Sequence, residues 1–106
     1  MNIPEEKRIR VYELTCLVPA EYTQEELEKI KAKLSKIIEN AQGEVKEVEE
    51  WGKKELAYTI KDAGKSYQEA NYLHFVFEAE AEQANAIRDT LNITDEVIRH
   101  LLVVQD

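Results

Sequence analysis

The side chains best suited to nucleophilic or acid–base chemistry near neutral pH are Cys16, His74 and His100, the only thiol and the only imidazoles in the chain. No Ser, Cys or carboxylate stands near either histidine at a spacing that marks a catalytic triad, a zinc site or a phosphate-cradling loop. Cys16 alternates with Leu14 and Val18 on one face of an extended run, which reads as a packed thiol rather than a nucleophile. A single cysteine cannot form an internal disulfide, in keeping with a reducing compartment. No metal and no cofactor are expected. His100 lies in an apolar run, where an imidazole satisfied by a neighbour is an open reading.

The cations offer electrostatic rather than covalent chemistry. Arg8 and Arg10 precede Tyr12, Lys53 and Lys54 follow Trp51-Gly52, and Arg99 stands near the end of the chain. Such groups can be solvated surface charges or can converge on phosphates. A net charge of -8 opposes nucleic-acid binding, because phosphate neutralisation supplies most of that affinity. The charge is uneven, however. Residues 66–106 hold two bases against eight acids, whereas residues 1–65 hold 12 against 14. A few converging cations could bind RNA if the acids face solvent or a basic partner protein.

These residues must be positioned by a small number of elements. At 106 residues, with 43% apolar side chains, the chain is expected to form a single domain over 1–106, with residues 1–7 as a short N-terminal extension. That start lacks the cationic and apolar regions of a signal peptide, and no apolar run approaches the ~18 residues that span a membrane, so a cytosolic protein is expected. From Arg8 to Val18, Tyr12, Leu14, Cys16 and Val18 alternate with Glu13, Thr15 and Leu17, the pattern of a half-buried strand. Thr23 and Glu26 form a capping box, and Tyr22 with Leu27 has the spacing of a hydrophobic staple. A helix therefore starts at Gln24. Leu27, Ile30, Leu34, Ile37, Ile38 and Ala41 make its apolar stripe, Glu25 and Lys29 are spaced to pair, and Gly43 is expected to end it.

Glu44 to Ile60 reads as a second strand interrupted at Gly52, and Lys61 to Asn71 as a polar loop. Tyr72 to Phe77 is a third strand. Ala81, Ala84, Ile87 and Leu91 mark a second helix without a good N-cap, and Val97 to Val104 a fourth strand. The order strand, helix, strand, strand, helix, strand predicts a ferredoxin-like α+β fold, βαββαβ. Its antiparallel sheet would take the order 4-1-3-2, with both helices on one face and the other face uncovered. Tyr12, Leu14, Val18, Leu27, Ile30, Leu34, Ile37 and Phe75 should share one core. An RNA-recognition motif has the same topology, but its third strand needs basic-Gly-aromatic-small-aromatic, where this chain has Asn71-Tyr72-Leu73-His74-Phe75. Phe75 and Phe77 are therefore read as core.

The run Glu50-Trp51-Gly52-Lys53-Lys54-Glu55-Leu56-Ala57-Tyr58-Thr59-Ile60 resembles the Glu-Trp-Gly-basic-basic-x-Leu-Ala-Tyr-x-Ile motif of the bacterial small-subunit ribosomal protein six family. Arg10-Val11-Tyr12-Glu13 resembles that family's opening Arg-x-Tyr-Glu strand, and Val97 to Val103 its closing strand. Three ordered motifs at family spacing cover Arg8 to Val104. The resemblance implies a structural, non-enzymatic protein of the ribosome that binds central-domain ribosomal RNA of the small subunit as a heterodimer with small-subunit protein eighteen. It implies RNA contact at Arg8, Arg10, Tyr12, Lys53, Lys54, Arg99 and His100. Val11 and Val104 stand where the family often carries cations. Trp51, Leu56 and Tyr58, on an edge strand, are the candidates to face the partner, and the isolated chain is expected to be a monomer. An alternative from another class is a dimeric ferredoxin-like domain that encloses a small ligand, or an enzyme using His74 or His100 as acid or base.

Overall fold

The computed structural model describes residues 7–105, so the expected N-terminal extension lies outside it except for Lys7. The elements are β1 (Arg10–Pro19), α1 (Gln24–Asn40), β2 (Glu44–Asp62), β3 (Lys65–Ala79), α2 (Ala81–Asn92) and β4 (Arg99–Gln105). All sheet pairings are antiparallel, in the order β2-β3-β1-β4. This is the 4-1-3-2 order read from the opposite edge, and it makes the fold ferredoxin-like.

Alternation along β1 sorts the sheet into two faces. Tyr12, Leu14, Cys16 and Val18 are buried opposite Phe77, Phe75, Leu73 and Asn71 of β3. Leu27, Ile30, Leu34 and Ile38 of α1 and Ala84, Ile87 and Leu91 of α2 join them in one cluster, with Ile37 packed at its margin. Both helices therefore cover the same face. Burial also pushes the Cys16 thiol up to about 12, so it stays protonated and inert as a nucleophile.

The start of α1 follows its sequence signature. Thr23 Oγ1 accepts from the Glu26 N–H at 3.2 Å, and Glu26 Oε1 accepts from the Thr23 N–H at 2.8 Å. Its end does not follow the expectation for Gly43. Gln42 takes the left-handed conformation, with φ of 71°, while its N–H bonds Glu39 O and the Gly43 N–H bonds Ile38 O, each at 2.9 Å. This is a Schellman closure with Gln42 at the left-handed position. Gly43 is needed there for space: a Cβ would come within 2.8 Å of Ile38 Cγ2 and 3.0 Å of Ile38 O. At α2 the missing cap is supplied from within, because Gln83 Oε1 accepts from the Glu80 N–H at 2.8 Å.

The segment from Lys61 to Asn71 is not a loop. β2 runs on to Asp62, and β3 already begins at Lys65, with Asp62 opposite Lys65 and Lys61 opposite Ser66. Only Ala63 and Gly64 turn the chain, with φ of 50° and 80°. Two positive φ values are what a tight two-residue hairpin requires, so a polar composition concealed a strand pair. Gly52, with φ of 86°, sits at a register shift between Glu50 and Gly52, as the Trp-Gly break implied. A larger shift lies between Glu55 and Ile60, where Leu56 to Thr59 bulge out of the ladder. β4 also starts later than expected, at Arg99, because Val97 and Ile98 are buried in the approach and the Ile98 N–H is held by Leu17 O at 2.8 Å.

The bulge covers part of the face expected to be bare. Ile60, Ala70 and Ile98 are buried in a small second cluster, with Leu17, Leu56, Tyr67 and Tyr72 packed around it. The two apolar clusters thus lie on opposite faces of one sheet, and only the remainder of the second face is open.

Candidate nucleic-acid and partner interface

The expected cations lie at two ends of the sheet. Val11 is opposite Gln105 and Tyr12 opposite Val104, so Arg10 and the end of β4 do form one corner. Lys53 and Lys54 are opposite Asn71 and Ala70, which in turn face Val18 and Pro19 at the other end of β1. Eight or nine residues of strand separate the two groups, about 30 Å. Arg99, opposite Leu17, belongs with the lysine pair and not with Arg10.

Tyr12 and His100 fall on the helix-covered face. Tyr12 is 8% exposed and stacks on Phe77 with ring centroids 5.5 Å apart. It shapes the corner from beneath and presents no ring to a ligand. His100 is half-buried opposite Cys16, and desolvation, with Arg88 as the smaller cause, holds it below the ordinary histidine range. At neutral pH it is therefore an uncharged group rather than a phosphate-binding cation.

On the opposite face the fold assembles a constellation that no sequence spacing announced. His74 is 6% exposed; Thr15 Oγ1 lies 3.1 Å from its Nδ1, and Glu13 Oε1 lies 3.3 Å from its Nε2. Trp51 stacks on the ring at 4.2 Å and 14°. Lys54 Nζ stands 5.6 Å from the Trp51 centroid and 5.4 Å from that of Tyr72, within cation–π reach of both. Residues 13, 15, 51, 54, 72 and 74 come from three strands, and the period of two along β1 and β3 was the only signal that could have put Thr15 and His74 on one face. Carboxylate, imidazole and hydroxyl superficially resemble a hydrolytic triad. Both ring nitrogens have a polar neighbour and an indole covers the ring, so the group is built to hold Trp51.

The three candidates for the partner-facing side differ in exposure. Trp51 is 43% exposed above His74, Tyr58 in the bulge is 78% exposed, and Leu56 packs into the second cluster. A groove of about 820 Å³ beside the bulge is lined by Lys53, Tyr58, Tyr67, Glu21, Glu55 and Glu69 among others. Leu101 and Val103 of β4 add exposed apolar surface to the open face. Among the described residues, no cluster of His, Cys and carboxylates could hold a metal ion.

Residues 11–104 match the family model for ribosomal protein S6. The chain belongs to the ribosomal protein S6 family. It is 35% identical over 98 residues to the small ribosomal subunit protein bS6 of Desulforudis audaxviator, covering 92% of this chain and all of the relative. It is 34% identical to bS6 of Carboxydothermus hydrogenoformans, covering 92% and 98%. The crystal structure of 30S ribosomal protein S6 from Thermotoga maritima superposes with a TM-score of 0.80 at 25% identity, covering 92% of this chain and 89% of that one. S6 proteins are components of the small ribosomal subunit and are not enzymes, which removes the catalytic alternative for His74 and His100. The S6 match spans all four strands and both helices except the end residues Arg10 and Gln105, so the Lys53–Lys54–Arg99 group and the Trp51–His74 stack lie within it and Arg8 and Arg10 immediately precede it. No helix among the described residues is long and apolar enough to cross a membrane.

Proposed function

We propose that this S6-family chain is a structural constituent of the small ribosomal subunit that binds central-domain ribosomal RNA together with ribosomal protein eighteen, and that it acts in the cytoplasm as part of the ribosome. The observation that carries the reading is the family match over residues 11–104. Arg8 and Arg10 at one end of the sheet, and Lys53, Lys54 and Arg99 at the other, are the groups that would meet phosphates. A chain with net charge -8 gains affinity for RNA more readily when a basic partner supplies further cations and complementary potential. Trp51, exposed above His74, is the side chain that would meet that partner. The isolated chain would be a monomer.

Co-sedimentation tests this directly. The protein should remain with small ribosomal subunits through a moderate salt wash, and it should shift to a heterodimer in a sizing experiment when protein eighteen is added. A stable homodimer with no affinity for either would overturn the reading.

A further inference from the structure

We propose that the outer half of the β2–β3 hairpin is a second RNA contact, a braced arm that takes a single-stranded stretch through Lys53, Lys61, Lys65 and the ring of Tyr58. The proposal rests on the RNA-binding reading and extends it to residues well away from the Arg10 corner.

The arm is defined by pairing. β1 covers β3 only from Ala70 to Ala79, so Lys65 to Glu69 have β2 as their sole strand neighbour. A free two-stranded ribbon is marginal in water. This one is braced at its root, where Ile60 and Ala70 pack with Ile98 from the approach to β4. Protrusion of the arm contributes to a molecule 50 Å long and only 25 by 23 Å across.

Its charge sets it apart. Residues 53–69, the arm together with its root at Lys53 and Lys54, contain four lysines against three acids, a net of +1 in a chain whose total is -8. Elsewhere, Lys29, Lys31, Lys33 and Lys46 are each paired with a glutamate. Lys54 is directed onto the Trp51 and Tyr72 rings. Lys53, Lys61 and Lys65 are exposed, and among the described residues none has a carboxylate within 4.0 Å. Three ammonium groups without an ion-pair partner among the described residues, Lys53 at the root of the ribbon and Lys61 and Lys65 near its tip, are free to replace counterions on a phosphate backbone. Tyr58, 78% exposed between them, offers a face on which an unpaired base can stack. Glu21, Glu55 and Glu69 line the same groove as Lys53 and Tyr58. Their carboxylates repel phosphate from that groove, which leaves the backbone along Lys61 and Lys65, outside its lining, and the base on the ring.

The test uses the full-length protein with protein eighteen and a transcript of the small-subunit central domain, titrated between about 50 and 200 mM salt. Lys61→Ala with Lys65→Ala should lower the slope of log affinity against log salt by roughly 1.4 to 1.8, the value for two lost phosphate contacts. Lys61→Arg with Lys65→Arg should retain it, which separates charge from misfolding. Tyr58→Ala should weaken binding about fivefold or more with the slope unchanged. Wild-type affinity and slope in both arm variants, with binding weakened by Arg10→Ala, would overturn the arm and leave the RNA reading standing. No binding of the transcript by the wild-type pair would overturn both. An arm that takes a basic polypeptide instead would bind oligolysine more tightly once Lys61 and Lys65 are removed, and that result also overturns the proposal.

Discussion

Trp51 lies nearly flat on His74, its ring centroid 4.2 Å from the imidazole, although the two residues belong to different strands: Glu49 is opposite His74, and Trp51 stands two residues further along the same face of β2, at the register shift before Gly52. Thr15 and Glu13 of β1 flank the two nitrogens of the same imidazole. One buried ring therefore links β1, β3 and β2 on the face away from the helices.

Removing that ring should loosen the link. His74→Ala is expected to cost about 1 to 3 kcal/mol, combining a lost stacking pair with a void in a buried site. Urea unfolding should report the loss, and Trp51 emission should move to longer wavelength. A loss below about 0.5 kcal/mol would mean that Trp51 merely rests on its neighbour.

Leu34 is fully buried between α1 and the sheet. Leu34→Ala should cost about 2 to 5 kcal/mol, the range for a large-to-small change with partial collapse of the cavity. Chemical denaturation measures it. A cost under about 1 kcal/mol would contradict the register of the helix.

The hairpin turn contains a correctable strain. Ala63 adopts φ of 50°, a left-handed conformation that disfavours residues carrying a Cβ, whereas Asn tolerates it. Ala63→Asn should stabilise the protein by about 0.5 to 1 kcal/mol. Hydrogen exchange should slow first in the arm, at Lys61 and Ser66, and an unchanged exchange rate there would show that the turn is not what limits opening of the arm.

Stability should fall on the acid side for three separate reasons of the same sign. The Lys31 ammonium, with a smaller contribution from Gln24, holds Glu50 below the usual glutamate range, and Lys33 does the same for Glu96. Each carboxylate contributes stability above its unfolded pKa that is lost as pH falls through the folded value. His100, depressed by burial, likewise resists the proton that the unfolded chain accepts near pH ~6.5. At the alkaline end Lys31, raised first by its bond to Glu50, contributes stability that is lost as pH rises through its folded value. Glu50→Gln should therefore flatten both limbs, by under about 1 kcal/mol for an exposed pair. Melting curves from acid to alkaline pH test the shape, and unaltered limbs would show that the pair contributes nothing.

Val104 is opposite Tyr12 on the helix-covered face, yet 37% exposed at the sheet's end. An arginine there could run its stem over the tyrosine and keep its head in solvent beside Arg10. Val104→Arg is expected to stay folded and to tighten RNA binding by the heterodimer, more at low salt than at high. Unchanged binding by a folded variant would mean that this corner does not meet RNA.

Local rules carried most of the architecture. Alternation at Tyr12, Leu14, Cys16 and Val18, the Thr23–Glu26 box and the i, i+3, i+4 stripe of α1 are short-range constraints, and each appears in the fold as the residues imply. The motif around Trp51-Gly52 and the flanking strands identified the family, because residue identity at ordered spacings is itself sequence information. What local rules could not supply was the meeting of residues far apart along the chain. Thr15 and His74 are 59 positions apart, and their contact is fixed by the β1–β3 register. The same register set Arg10 and the Lys53–Lys54 pair at opposite ends of β1, a separation that a list of cations does not give. It also made a strand pair of the polar stretch after Ile60, since the ladder and the packing of Ile60 on Ala70 and Ile98 outweigh a composition that favours loops. Composition and periodicity determine which face each residue occupies, whereas strand register, a tertiary property, decides which residues share a place on it.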